Sequence, residues 1–167
     1  ATTLLQFDGH NVLTDPIWSE RASPLSWIGP KRVRPPGVRF DDLPPIDVVV
    51  VSHDHYDHLD LPTLRRLERA HHPMFLVPLG CARLLSDEGL VDVHELDWWQ
   101  SIDARGFSAS LVPAQHFGAR GPFDRDERLW AGYVLTTRGG PVFFAGDTAF
   151  GEHFAQVRTR FGPMRLA

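Results

Sequence analysis

Short apolar segments alternate with polar turns along this chain, and the pattern at its start predicts a β-hairpin. Mostly apolar segments occupy positions 4–7 and 12–14, on either side of the turn-forming pair Asp8-Gly9. Residues 48–51 are four consecutive valines without polar alternation, as expected for a strand covered on both faces. The segment between them, 16–47, holds seven prolines and little periodicity, which predicts a long ordered loop.

Helical and strand patterns alternate through the rest of the chain. Leucines at 61, 64 and 67 recur on one helix face after Asp60, a candidate N-cap, so a helix is predicted over 61–70. The following apolar runs predict strands at 74–77, 91–96, 106–112, 129–137 and 141–145, with helices at 80–88 and 151–161. This order predicts the α/β fold class.

Composition narrows the class of protein. The chain has 167 residues, 43% of them hydrophobic and 23% charged, as expected for one globular domain over 1–167. The net charge of −4 provides no general basic surface, so nucleic acid is not the expected partner. Cys81 is the single cysteine, which excludes an internal disulfide and fits a cytoplasmic protein. No run approaches the roughly 18 apolar residues of a membrane span.

Candidate metal ligands cluster directly after the valine strand. His53, His55, Asp57 and His58 fall within six positions of one loop. Imidazole nitrogen suits zinc and other transition metals, and a carboxylate can help to hold a second ion nearby. A polar loop of hydrated histidines is the alternative, but four candidate ligands so close together favour a metal site.

Two later loops offer further ligands at the same kind of position. His116 follows the predicted strand 106–112, and Asp147 follows the strand 141–145. Each signal alone is weak, because a histidine or a Gly-Asp-Thr turn after a strand is usually a surface feature. Together with the first loop they predict one metal site in loops at the sheet edge. His10, His94 and His153 match no motif and are expected at the surface.

The order of these motifs resembles that of a known family. Ser-His-Asp-His-Tyr-Asp-His-Leu-Asp at 52–60, then His116, then Phe-Ala-Gly-Asp-Thr at 144–148 resemble the metallo-β-lactamase superfamily. More narrowly, the chain resembles the N-acyl-phosphatidylethanolamine-hydrolysing phospholipase D family. The matching blocks are Leu-Thr-Asp-Pro at 13–16, Arg-Ala-Ser-Pro at 21–24, Gly-Pro-Lys-Arg at 29–32, Leu-Pro-Pro-Ile-Asp at 43–47, Val-Pro-Leu-Gly at 77–80, Glu-Leu-Asp-Trp-Trp at 95–99 and Pro-Ala-Gln-His at 113–116.

The resemblance implies a fold, a ligand set and a cofactor. The fold would be a partial αββα sandwich, lacking its C-terminal strands and the family's opening Gly-His-Ala-Thr segment. Two zinc ions are expected, although iron or manganese would suit the same ligands. The family completes the second site with a histidine that would lie beyond Ala167. The resemblance places His53, His55 and His116 on one ion, Asp57 and His58 on the other, and Asp147 between both.

The implied activity is hydrolysis of a phosphodiester in N-acylated glycerophospholipids by hydroxide held between two zinc ions, with Asp57 and Asp147 as the catalytic carboxylates. One alternative is a hydrolase of another ester or of a sugar-phosphate lactone, and a second is a metal-dependent binding module without turnover. With a phospholipid substrate, peripheral membrane contact would be made through Ile17, Trp18, Trp27 and Ile28, beside the basic run Lys31, Arg32, Arg34 and Arg39. The more common explanation is that such residues pin a long loop to its core.

Overall fold

The computed structural model describes residues 2–167. The first part of the chain forms a five-stranded mixed sheet. The predicted hairpin is confirmed: Asp8 and Gly9 both have positive φ, as a tight two-residue turn requires. The second hairpin strand then pairs in parallel with the valine strand, and two further parallel strands follow. In spatial order the strands are β1 (Thr3–Phe7), β2 (His10–Thr14), β3 (Val48–Val50), β4 (Met74–Pro78) and β5 (Val93–Leu96).

A four-stranded antiparallel sheet follows along the chain. A turn at Arg138-Gly139 joins its last two strands, with Thr137 opposite Gly140. Its first strand was not predicted, because three residues are too few to show a period. The strands are β6 (Ser101–Asp103), β7 (Ser108–Val112), β8 (Gly132–Thr137) and β9 (Gly140–Phe144). Leu166 makes a single parallel bridge to Val142 at the free side of β9.

Helices cover the outer faces of both sheets. They are α1 (Leu61–His71), α2 (Ala82–Ser86) and α3 (His153–Phe161), with a short 3-10 helix at Phe40–Asp42. All three are where the sequence predicts helices, but α2 begins later than predicted, because Gly80 takes a positive φ and ends the preceding strand in a turn. Within residues 2–167 there is no helix long and apolar enough to cross a membrane.

Three apolar layers hold the sheets and helices together and confirm the αββα arrangement. Valines 48 and 50 face the second sheet and pack with Tyr133 and Leu135, which form the centre of the sandwich. Val49 and Val51 face the other way, against α1 and α2. The valine strand is therefore buried on both faces, as its sequence predicts. A smaller cluster around Phe143 and Val157 seats α3 on the second sheet.

Asp60 begins α1 as predicted, but its side chain does not cap the helix. Its carboxylate instead accepts hydrogen bonds from the backbone N–H groups of Trp18 and Ser19, at 3.3 and 3.1 Å, and from the Thr63 hydroxyl at 2.5 Å. The buried carboxylate thus fastens the long proline-rich loop to the body. Ile17 and Trp18 are accordingly half-buried anchors of that loop rather than exposed membrane contacts.

Candidate metal centre

Three predicted histidines bring their ring nitrogens together at the carboxyl end of β3. The Nε2 atom of His53 lies 2.9 Å from Nδ1 of His55, and Nε2 of His116 lies 3.3 Å from the same atom. One donor nitrogen from each ring falls within 4.8 Å of the others. His53 is buried, and the other two are half-buried. Loops that are 61 residues apart in sequence therefore meet at one point.

A second group of donors lies beside the first. His58 is buried, and its Nε2 atom is 3.6 Å from a carboxylate oxygen of Asp57 and 3.4 Å from one of Asp147. The same Asp147 oxygen is 4.0 Å from Nε2 of His116. Asp147 therefore lies between the two groups, which is where the sequence comparison expects a shared ligand. All six predicted ligands are close together at one sheet edge.

Asp15 is a site residue that sequence reasoning did not assign. It follows β2, whose parallel register with β3 places Thr14 opposite Val50 and so sets Asp15 against Ser52. The Asp15 carboxylate is fully buried and accepts three hydrogen bonds: from Ser52 N at 2.7 Å, Ser52 Oγ at 2.6 Å and His58 Nδ1 at 2.6 Å. The sequence feature that could have identified Asp15 is its position directly after a strand, which His53 shares.

This hydrogen bonding assigns the ring tautomers. Because the Asp15 carboxylate can only accept, His58 carries its proton on Nδ1 and turns the Nε2 lone pair toward Asp57 and Asp147. The Ser52 hydroxyl donates to Asp15, so it accepts from Nδ1 of His53 at 2.8 Å and leaves Nε2 of that ring free to bind. Asp15, His53 and His58 also lie close enough to be read as a ligand set, but their facing atoms are already paired through these bonds.

Burial and neighbouring rings keep two of the histidines neutral. Desolvation, reinforced by His58, His55 and His116, lowers the pKa of His53 to about 2. Desolvation and His55 also lower the pKa of His116. At His58 burial acts in the same direction, but the hydrogen bond and charge of Asp15 outweigh it, and the pKa is raised. Neutral imidazoles with free lone pairs are the form that binds metal ions.

The donor set fits a metal ion. Metal–nitrogen bonds of about 2.0–2.1 Å in a tetrahedral site separate the ligand nitrogens by about 3.3 Å. The distance between His55 and His116 nitrogens is 3.3 Å, and that between His53 and His55 nitrogens is 2.9 Å. Without a cation, each of these contacts needs a ring proton between the two nitrogens. Imidazoles and carboxylates together suit zinc, iron or manganese.

Two arginines fasten one rim of the site. Arg128 donates to the fully buried carboxylate of Asp54 at 2.7 Å, within the motif loop itself. Arg120 donates to the backbone oxygens of Asp54 and Leu59, at 2.7 and 2.9 Å, and lies over the Tyr56 ring. These contacts hold the segment 117–128 against the loop that carries His53 to His58. Buried charge pairs of this kind are costly to break, so this rim is fixed.

The two later ligand loops are also joined to each other. The Thr148 hydroxyl accepts from the backbone N–H of Gln115 at 2.9 Å and lies 3.1 Å from Nε2 of His153. The backbone N–H of Ala149 donates to the Gln115 oxygen at 2.9 Å. His153 was expected at the surface; this was wrong, because the first turn of α3 presses its ring against the Asp147 loop and buries it.

A second rim is a hairpin-like excursion over residues 21–31. Arg21 and Lys31 form an antiparallel bridge at its base, and the hydrogen bonds that shape it run between its own two arms. At its tip Trp27 is 71% exposed and Ile28 is 51% exposed. The base faces a groove that Asp57 also lines. The prediction that Trp27 is a membrane contact is compatible with this exposure and stays a prediction.

The αββα layers, with imidazole and carboxylate donors gathered at the strand ends, define a protein of the metallo-β-lactamase fold. Residues 10–167 match the β-lactamase superfamily domain family, and the chain belongs to that superfamily. The solved structure of a possible metal-dependent hydrolase from Veillonella parvula is similar in fold, with a TM-score of 0.75 and 21% identity over 97% of this chain and 65% of that one.

Two curated relatives are considerably more similar in sequence. An uncharacterised protein of Mycobacterium tuberculosis is 42% identical over 99% of this chain and 45% of its own length. The N-acyl-phosphatidylethanolamine-hydrolyzing phospholipase D 1 of Caenorhabditis elegans is 38% identical over 100% of this chain and 50% of its own length. The predicted resemblance is thereby confirmed. The chain spans about half the length of these relatives.

Proposed function

We propose that this chain carries the metal centre of a hydrolase that cleaves a phosphodiester bond in N-acylated glycerophospholipids, in the manner of a phospholipase D. The observation that carries the proposal is Asp147, which lies between a three-histidine group and the Asp57–His58 pair. The 38% identity to the nematode phospholipase D supports the choice of substrate.

The proposed site assigns a role to each ligand. His53, His55 and His116 would hold one ion, Asp57 and His58 the second, and Asp147 both. Zinc is the proposed metal, with iron and manganese as alternatives. When bound, such ions act as Lewis acids and lower the pKa of a coordinated water toward neutrality.

The chain's own residues would prepare the reaction. Asp15 and Ser52 orient the two buried rings, so the ligands are positioned before substrate arrives. Asp57, with a 61% exposed side chain, is the proposed proton acceptor at the open side. In the hydrolysis, the water oxygen bonds to phosphorus, the bond from phosphorus to the headgroup alcohol oxygen breaks, and that oxygen leaves with a proton.

The direct test is turnover by the protein that carries this sequence. A fluorescent N-acylphosphatidylethanolamine and a phosphorylated lactone are offered separately, before and after removal of metal with a chelator. We expect metal-dependent release of the N-acylethanolamine and no lactone opening. Lactone opening alone would favour the alternative hydrolase, and metal binding without either reaction would identify a binding module.

Asp147 gives the sharper variant. Because it alone would touch both ions, Asp147→Ala should lower metal content and turnover more than replacing any single histidine with alanine. Asp87→Ala removes a carboxylate that is 70% exposed at the end of α2 and serves as the control. Elemental analysis of an Asp147→Ala protein that retained two ions, with normal turnover, would refute the bridging role.

Peripheral contact with a membrane is proposed as part of the same function. Leu25, Trp27 and Ile28 form the exposed apolar tip of the 21–31 excursion, and tryptophan is favoured at membrane interfaces. Arg21 and Lys31 at its base could meet anionic lipid headgroups. A lipid substrate would then be drawn from the bilayer beside the groove that leads to Asp57.

A further inference from the structure

A cavity of about 420 Å³ lies between the β1–β2 hairpin and the proline-rich loop. Its size falls within the range of small-molecule sites. Its wall is mostly apolar, and none of its lining residues is acidic among those that the structure describes. The apolar wall consists mainly of Leu4, Leu13, Ile17, Trp18, Val38 and Leu43.

The cavity is preformed. The Trp18 indole N–H donates to the Val38 oxygen at 3.1 Å, and the Trp18 backbone N–H donates to Thr63 at 2.9 Å. The Trp18 ring also packs edge-on against Phe40, with centroids 5.7 Å apart. Pro35 and Pro36 restrict the loop that closes the opposite side. A ligand would therefore lose little affinity to ordering the wall.

Two arginines are the only charged groups among the lining residues that the structure describes. Arg34 is exposed, and no hydrogen bond or ion pair is assigned to its side chain within residues 2–167. Arg32 is half-buried and is aimed by hydrogen bonds to the backbone oxygens of Ile17, at 2.9 Å, and Ser19, at 3.4 Å. An apolar chamber with guanidinium groups at its side matches a molecule that has an apolar chain and an anionic head.

The cavity also adjoins a groove beside the metal centre. Ile17 and Arg32 form part of its wall and part of the wall of a neighbouring groove of about 230 Å³. Asp57 also lines that groove. A molecule whose chain filled the cavity would thus pass its polar part over Arg32 toward the proposed ligands. Lys31 and Glu20 in the groove form an exposed pair at 3.7 Å, so Arg32 and Asp57 carry the remaining charges of its lining.

We infer that this cavity binds one acyl chain of an amphiphilic substrate, with the anionic head held against Arg32 and Arg34. The inference rests on the proposed function only in naming the substrate's reactive end. Binding of the chain itself needs no metal, so it can be measured independently of turnover.

The test is calorimetry of the metal-free protein with dodecyl phosphate below its micelle concentration. Butyl phosphate and inorganic phosphate are the short-chain and chain-free probes. Because each additional buried methylene adds affinity, dodecyl phosphate should bind at least about tenfold more tightly than butyl phosphate. Equal affinity for the two esters would overturn the inference.

Matched variants locate the binding. Val38→Trp places a large ring at the cavity wall, where the residue is 45% exposed, and should abolish the preference for the long chain. Leu79→Trp changes a residue that is 50% exposed and does not line the cavity, and should leave the preference intact. Leu43→Phe is the second filling variant if Val38→Trp fails to fold, as judged by circular dichroism. Equal loss of the preference in the filling variants and Leu79→Trp would overturn the assignment to this cavity.

Two further variants distinguish binding of the head from binding of the chain, and the cavity from the exposed tip. Arg34→Gln should weaken dodecyl phosphate and butyl phosphate by a similar factor, because it removes only a head contact. If Trp27→Ala rather than Val38→Trp removes the preference, the chain binds at the exposed tip and the cavity assignment fails. A confirmed chain preference without turnover would refute the proposed function alone, whereas turnover without any chain preference would refute the cavity alone.

Discussion

Replacing Asp15 with asparagine tests whether the buried carboxylate orients His58. In the Asp15→Asn variant the side-chain oxygen could still accept from the Ser52 backbone N–H. The new amide group, however, would replace the oxygen that now faces the His58 Nδ1 proton at 2.6 Å. Two donors would then face each other, and His58 would relieve the conflict by moving its proton to Nε2. That nitrogen could no longer bind a metal.

The size of the effect follows from the contact that is lost. Outer partners of metal-binding histidines are worth about 10–100-fold in metal affinity, or about 1.4–2.8 kcal/mol. The Asp15 carboxylate is fully buried, so the hydrogen bond is not weakened by solvent. Losing one charge-assisted bond should also destabilise the fold by about 1.5–3 kcal/mol. We therefore expect weaker binding of the ion at His58 and a lower unfolding midpoint.

Three measurements distinguish a change in the orientation of His58 from a general loss of stability. Competition with a chelator gives the metal affinity, urea unfolding gives the stability, and nitrogen NMR of the histidine rings reports the His58 tautomer. Asp60→Asn is the matched control, because Asp60 is also buried and accepts several hydrogen bonds, but from residues outside the ligand set. It should lose stability and keep its metal affinity. An Asp15→Asn protein with an unchanged tautomer and unchanged affinity would refute the reasoning.

Three further outcomes are expected. Gly146→Ala should lower the free energy of unfolding clearly more than Gly9→Ala. Both glycines have positive φ, but only at Gly146 would the new Cβ meet other atoms, the nearest at 2.7 Å. Equal losses in urea unfolding would contradict this close approach. Burial raises the pKa of Cys81 to about 12, so at pH 8 a thiol reagent should react only at the rate of unfolding, and fast labelling of the native protein would disprove this. Trp27→Ala should weaken co-sedimentation with anionic vesicles, whereas Phe123→Ala, which removes a side chain that is 93% exposed, should not; equal losses would point to unspecific adhesion.

The fold was predictable wherever a local pattern was strong. The Asp8-Gly9 turn and the four valines each carry their structural reason in a few neighbouring residues. The three-residue strand β6 has no such pattern, and it exists because the longer β7 provides a partner for it. Asp60 was predicted at the correct helix start, but its role was missed because the loop residues that it binds, Trp18 and Ser19, lie 42 and 41 residues away.

The candidate site was likewise predictable from the sequence only in part. That His53, His116 and Asp147 should lie together followed from one rule, namely that each comes directly after a strand. Asp15 obeys the rule too, but a lone aspartate before a proline does not resemble a ligand. Its importance depends on the parallel register of β2 against β3, which brings it to Ser52, and on burial. Neither can be obtained from local sequence.

The unequal fastening of the two rims has a consequence for how a substrate enters. The Arg120 and Arg128 side is held by buried charges and backbone oxygens, whereas the 21–31 side is shaped by bonds between its own arms. The Arg120 and Arg128 side of the centre is therefore fixed to the body of the protein, and the 21–31 side is not. Residues 21–31 would then select among substrates of different bulk. Variation in this segment would change which substrates enter without altering the metal ligands.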